Sequence, residues 1–170
     1  MSHPSYPPLP ISCQTTRRTF ALGGVSLLLA ACGTKPIIPK VLTNVLTVDV
    51  LAAANLNPST SGRPSPVVVR IYELKAVAPF ESADFISLFD RDQATLGGDV
   101  IARDEFVLSP GESMAIKREI DAESKFIAVM AAFRDLERAR WRAVVPLAAG
   151  KDNALSVRLT ASSISIGKRP

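Results

Sequence analysis

The chain has 170 residues, with 20 Lys and Arg against 16 Asp and Glu, a formal net charge of +4, one histidine and two cysteines. The histidine is His3 and the cysteines are Cys13 and Cys32, so nothing after Cys32 can act as a thiolate, an imidazole ligand or the base of a Ser-His relay. Zinc sites and most hydrolytic mechanisms are excluded there, and a charge so near neutral leaves no electrostatic footprint for nucleic acid.

The first segment contains no acidic residue up to Thr16-Arg17-Arg18-Thr19-Phe20-Ala21, then runs through Leu22, Val25 and Leu27 to Leu29-Ala30-Ala31-Cys32. A basic stretch, a short apolar run and small residues at its end read as a signal peptide over residues 1–31. The apolar run is about 12 residues, well below the roughly 20 that a membrane-spanning helix needs. Arg17 and Arg18 followed by Thr19-Phe20 resemble a twin-arginine export signal, although Ala21 and Leu22 replace its last positions. An ordinary Sec signal with two adjacent arginines remains the alternative. Leu29-Ala30-Ala31-Cys32 resembles a bacterial lipobox, which makes Cys32 the lipidated first residue of the mature protein. A single acyl chain binds a membrane only weakly, at ~0.8 kcal/mol per buried methylene, whereas the three chains that the lipobox implies anchor it durably. By the same resemblance Gly33, and not Asp, after the cysteine implies sorting to the outer membrane.

Removing 31 of the 170 residues leaves 139, and the loss of Arg17 and Arg18 lowers the net charge to +2. That length suits one domain with one core. With Cys32 acylated, no cysteine is left for a disulfide, so packing must supply the stability.

Residues 32–40, with Pro36 and Pro39 and no periodicity, read as a tether to a domain over 41–170. Val41 to Leu51 is expected to be a strand, with Val45, Val48 and Val50 among polar residues. Next comes Asn55-Leu56-Asn57-Pro58-Ser59-Thr60-Ser61-Gly62-Arg63-Pro64-Ser65-Pro66, a cluster of turn formers that predicts a long exposed loop, poor in groups that could bury and stiffened by proline. Val67 to Leu74 reads as a second strand. Between Pro79 and Gly97, the spacing of Phe80, Phe85, Leu88 and Phe89 predicts one or two short helices, with Ser82 as a candidate cap.

From Val100 on, strand patterns return. Phe106 to Leu108 leads into the turn Ser109-Pro110-Gly111-Glu112, and Met114, Ile116 and Ile120 alternate with polar residues. Phe126 to Phe133 is continuously apolar, as in a strand covered on both faces, a pattern that periodicity alone does not separate from a buried helix. Trp141, Ala143, Val145 and Leu147 share one face of a further strand, and after the turn at Gly150-Lys151-Asp152-Asn153, Leu155, Val157 and Leu159 alternate with Ser156, Arg158 and Thr160. Short strands joined by turns, with a small helical insertion, predict a mainly β fold: an antiparallel two-sheet β-sandwich.

Three clusters invite a chemical reading. Asp90, Asp92 and Asp99 near Gly97-Gly98 lack the EF-hand spacing and read as a solvated helix end, with no metal expected. Arg134, Arg138, Arg140 and Arg142 around Trp141 alternate with Asp135 and Glu137, which favours a salt-bridged hairpin with Trp141 in the core over a nucleic-acid patch. Gly111-Glu112-Ser113-Met114 is not a nucleophile elbow. No enzyme is expected, and the covalent lipid on Cys32 is the only attached group foreseen.

The lipobox, the first strand, Asn57 to Lys75, Ala83-Asp84-Phe85 with Leu88-Phe89-Asp90, Leu108-Ser109-Pro110-Gly111-Glu112, and Ala131-Ala132-Phe133-Arg134-Asp135 with Arg140-Trp141-Arg142 stand in an order that resembles the TssJ (VasD/SciN-like) lipoproteins of type VI secretion systems. The resemblance covers essentially the whole mature domain. It implies a transthyretin-like sandwich, anchored at the periplasmic face of the outer membrane. There it holds the periplasmic part of the inner-membrane protein TssM and, through it, TssL. It also implies that the loop from Asn55 to Pro66 is a principal TssM contact; within it, Leu56 offers an apolar contact and Arg63 a cationic one. No nucleic acid and no small-molecule substrate belong to this reading. The rival is a periplasmic ligand-binding or glycan-binding module, whose marker is exposed aromatic residues; after the leader only Tyr72 and Trp141 are available besides Phe, both on strands that look covered.

Overall fold

Eight strands and two helices follow one another from residue 44. They are β1 (Asn44–Ala52), β2 (Val67–Leu74), α1 (Ala78–Ser82), α2 (Phe85–Leu96), β3 (Val100–Leu108), β4 (Ser113–Ile120), β5 (Phe126–Ala131), β6 (Arg142–Pro146), β7 (Asn153–Leu159) and β8 (Ile164–Lys168). The computed structural model describes residues 44–169. The leader with Arg17 and Arg18, Cys32, the tether and the first three residues of the predicted first strand lie outside the described residues.

The strands form two four-stranded sheets, ordered β4-β1-β7-β8 and β3-β2-β5-β6. Alternation places Leu46, Val48 and Val50 of β1, and Leu155, Val157 and Leu159 of β7, against Val69 and Ile71 of β2 and Ile127 and Val129 of β5 in one inter-sheet core. The sandwich is not wholly antiparallel as predicted, because β1 and β7 pair in parallel, Val48 opposite Leu155 and Val50 opposite Val157. Alternation reports which face of a strand is buried; it carries no information on the direction of the partner. Strand β8 was not foreseen either. Its short Ile-Ser-Ile stretch is held by the antiparallel ladder to β7 and by a bridge between Ser163 and Arg140.

The unbroken apolar run resolves as a strand and not a buried helix, and β5 is covered on both faces. Ala128 and Met130 point away from the other sheet and pack with Tyr72, Leu74, Phe80, Leu88 and Leu96 under the helical insertion. The cap of α2 is Asp84 and not Ser82: its carboxylate accepts the Ser87 backbone N–H at 2.8 Å and the Ser87 hydroxyl at 2.7 Å. These two bonds hold the Asp84 carboxyl below the usual carboxylate range. Ser82 instead closes α1, its hydroxyl donating to the Pro79 carbonyl.

Helix α2 kinks at Arg91 (φ −140°, ψ 37°), and Arg70 meets carbonyl groups near that kink. The guanidinium, on the outer face of β2, donates to the carbonyls of Leu88 at 3.1 Å and Phe89 at 2.6 Å, pairs with Glu105 at 2.5 Å and lies 4.5 Å over the Phe89 ring. Two residues further along β2, the Tyr72 hydroxyl donates to Asp92, which also accepts from Arg103 at 2.6 Å. Burial, with the Asp92 charge adding to it and Arg70 opposing, pushes the Tyr72 phenol up to about 12. Asp92 is therefore a half-covered acceptor that docks the insertion, and not the solvated helix-end group expected from sequence.

Candidate partner-binding site

The four connections 53–66, 109–112, 132–141 and 160–163 all gather at one end of the sandwich, because they join the C-terminal ends of β1, β3, β5 and β7 to the strands that follow. The turns 121–125 and 147–152 lie at the other end, and so does Asn44, where the described chain enters β1; the helical insertion leaves that end and runs over the outer face of the β3-β2-β5-β6 sheet as far as Trp141. Nine extended residues separate Asn44 from the loop end, about 30 Å along the strand.

The 53–66 connection is folded upon itself. Leu56 N–H donates to the Ala53 carbonyl, Ser65 N–H to the Leu56 carbonyl and Ser59 N–H to the Arg63 carbonyl, all within 3.1 Å. A tighter turn sits inside, where Gly62 at φ 78° donates to the Ser59 carbonyl and the Ser59 hydroxyl accepts from the Arg63 N–H. The neighbouring connections tie on through Asn57. Its Nδ2 donates to the Pro66 carbonyl at 2.8 Å, its Oδ1 accepts the Arg134 N–H at 2.8 Å, and its own N–H donates to the Ala161 carbonyl at 3.1 Å. The left-handed conformation this requires (φ 45°) is one that asparagine tolerates better than most residues.

This geometry corrects the expectation of a loop exposed throughout. Leu56 is fully buried, packed in the inter-sheet core, and Asn57 and Ser65 are 3% and 8% exposed. Leu56 is the only sizeable apolar side chain in the connection, and the hydrogen bonds at the loop base turn it inward, so it cannot meet a partner. Thr60, Ser61, Gly62, Arg63, Pro64, Pro66 and Asn55 are exposed, with Pro58 and Ser59 intermediate. The presented part is thus the polar, proline-flanked tip from Pro58 to Pro64.

Beside that tip lies a cleft of about 750 Å³, with Asn57, Pro58, Ser59 and Thr60 on one wall, Phe133, Arg134, Asp135 and Arg138 on the other, and Ala161 and Ser162 between them. Sequence reasoning did not bring these loops together, since Asn57 and Arg134 are 77 residues apart and no local pattern signals their bond. The arginine cluster also differs from the predicted salt-bridged hairpin. Of its four members only Arg138 has a carboxylate within 4.0 Å among the described residues, Asp135 at 3.6 Å. Arg142 stands over Trp141 and donates to the carbonyls of Phe80 and Ala83, holding the end of α1. Trp141 meets Phe85 edge to face at 5.3 Å, and Tyr72 is fully buried, so the aromatic marker of a glycan-binding module is taken up in packing.

The class defined by these features is a β-sandwich scaffold that presents a cluster of loops at one end. The chain belongs to the type VI secretion lipoprotein family (VasD, EvfM, TssJ), whose model matches residues 44–162. Members of this family are structural lipoproteins and not enzymes, and they carry no cofactor. The fold is similar to that of the type VI secretion lipoprotein TssJ1 from Pseudomonas aeruginosa, at 41% identity and a TM-score of 0.73 over 75% of this chain and 98% of that one. Serratia marcescens Lip, a membrane-bound component of the type VI secretion system, shares the fold at 22% identity and a TM-score of 0.69, over 75% of this chain and 99% of Lip. A chain of a type VI membrane complex matches at 32% identity and a TM-score of 0.64, over 75% and 99%. A chain in a structure described as the TssM C-terminal domain (869–1107) from EAEC matches at 32% identity and a TM-score of 0.59, over 74% and 98%. No curated protein sequence matches significantly.

Proposed function

We propose that this protein is an outer-membrane lipoprotein, anchored through lipid on Cys32 and facing the periplasm, that tethers the periplasmic part of TssM, and through it TssL, in a type VI secretion membrane complex. The observation that carries the reading is the polarity of the sandwich. The described chain enters the domain at Asn44, and the tip from Pro58 to Pro64 stands at the opposite end of β1, about 30 Å away. With the lipid N-terminal to Asn44, this arrangement leaves the loop end available to a partner that crosses the periplasm.

The match to the structure described by TssM residues 869–1107 supports the choice of partner. That match spans 98% of a chain while covering only 74% of the present 170 residues, so the chain matched is shorter than the TssM segment. A TssJ-like chain standing beside TssM accounts for both numbers. Loop rigidity fits as well, since a tip held by internal hydrogen bonds and flanked by prolines loses little conformational entropy on docking.

The test is a pull-down between the chain from Gly33 onward and the periplasmic portion of the cognate TssM, repeated with residues 58–64 replaced by a short Gly/Ser turn that leaves Leu56, Asn57 and Ser65 in place. Binding that disappears with the tip, while circular dichroism is unchanged, is the expected result. Binding that survives moves the contact elsewhere on the sandwich, and a folded wild type that does not bind refutes the tethering role.

A further inference from the structure

The loop end carries more than one presented loop. Arg63 stands at the tip, and Arg134, Arg138 and Arg140 lie on the 132–141 connection, all four exposed. Arg63, Arg134 and Arg140 have no carboxylate within 4.0 Å among the described residues, and the Arg138 to Asp135 pair is loose at 3.6 Å with Arg138 86% exposed. Four arginines elsewhere in the domain are used differently. Arg70, Arg103, Arg118 and Arg169 each hold a carboxylate at 2.5 or 2.6 Å. Of the two cations that line the cleft, Arg134 has no carboxylate within 4.0 Å among the described residues, and Arg138 has only the loose contact to Asp135 on the same wall.

The wall that carries them is also held in place. Arg134 receives its position through its own backbone N–H, which donates to Asn57 Oδ1 at 2.8 Å. Ala139 N–H donates back to the Asp135 carbonyl, which closes the turn carrying Arg138. The 750 Å³ cleft between this wall and Pro58 to Thr60 is therefore formed before any partner arrives, with two guanidinium groups along one side.

We infer that the partner-binding surface is this cleft together with the loop tip, and that it receives an acidic segment of the partner whose carboxylates pair with Arg134 and Arg138. The inference rests on the tethering reading above and names the chemistry of the same site. Asn57 is a positioning residue, since it ties the tip to the arginine wall without reaching the partner. Guanidinium groups recognise carboxylates in a planar, two-point geometry, and charge pairs at an interface act on specificity and on the rate of encounter. Asp135 competes for Arg138, so its removal should strengthen binding.

The experiment measures the affinity of the chain from Gly33 onward for the cognate TssM periplasmic domain, by biolayer interferometry at 50 and 500 mM salt. The forms compared are the wild type, Arg134→Glu with Arg138→Glu, Asp135→Asn, and the 58–64 tip replacement, each checked by thermal melting. The inference expects the charge reversal to weaken binding by about tenfold or more at 50 mM salt and to flatten its salt dependence, while Asp135→Asn tightens it about twofold. A gain of affinity cannot arise from damage to the fold. An unchanged affinity in the charge reversal, with binding lost on tip replacement, overturns the cleft and leaves the loop reading standing. The reverse pattern removes the tip and keeps the arginine wall; a folded wild type that binds nothing overturns both.

Discussion

Strand β2 is flanked by two long excursions of opposite construction. The 25-residue insertion 75–99 at its C-terminal end is sealed to the sheet by side chains: Phe80, Leu88 and Leu96 are buried, and Arg70 and the Tyr72–Asp92–Arg103 group bond it at its kink. The connection 53–66 at its N-terminal end is sealed only at its base, by Leu56 and Asn57, and leaves its tip bare. Both are ordered, but by different means: the insertion covers apolar surface of a sheet, and the connection holds a polar tip out into solvent. Order in a loop is therefore not evidence that it is buried cover, and a domain can present a rigid contact surface by anchoring one apolar and one amide side chain.

Substitutions can break this contrast, beginning with the largest effect. Leu56→Ala should destabilise the domain by about 3 kcal/mol, through lost transfer energy and the cavity left between the sheets, as seen by urea denaturation. That cost, from a residue in a predicted exposed loop, would match what a helix-insertion residue such as Leu88→Ala gives. Arg70→Met should cost about 2 kcal/mol, because it leaves the Leu88 and Phe89 carbonyls and Glu105 without their donor. Its effect on TssM affinity should be negligible, which separates the insertion from the loop end. Asn57→Ala should cost about 1 to 2 kcal/mol in stability and also weaken TssM binding, whereas Asn57→Gly, which keeps the backbone conformation, should recover part of the stability but not the tie to Arg134. If both variants bind TssM as the wild type does, the base of the connection is structural alone.

The smallest effect is a pH dependence on the insertion side. Partial burial pushes the Asp92 carboxyl up, but the hydrogen bond and charge of Arg103 outweigh it and hold the group below the usual carboxylate range. A carboxylate whose pKa is depressed by folding adds stability above its unfolded value, ~3.9, and loses it as pH falls through the lower folded value. Asp92→Asn should therefore flatten the acid limb of the stability curve below about pH 4 and change stability at pH 7 by under ~1 kcal/mol, the pair being partly solvated. Melting curves between pH 2.5 and 7 check it; an acid limb identical to the wild type removes Asp92 from the docking group.

Periodicity along the chain was sufficient for much of this fold. The β-branched run at Val67 to Leu74, the alternation of Leu155, Val157 and Leu159 with polar residues, the continuous apolar run at Phe126 and the Ser109 to Glu112 turn are local patterns, set by which side chains must leave water. The ordered motifs that follow Leu29-Ala30-Ala31-Cys32 were also sufficient to indicate the family. Three things were decided only in three dimensions: the parallel pairing of β1 with β7, the strand β8, and the inward turn of Leu56. Each depends on a partner far along the chain, and nothing in a local pattern encodes the direction or identity of that partner. The same holds for the candidate site. Its tip residues could be read from their turn-forming composition, whereas its second wall exists because Asn57 meets Arg134 across 77 residues, a bond that only tertiary packing can form.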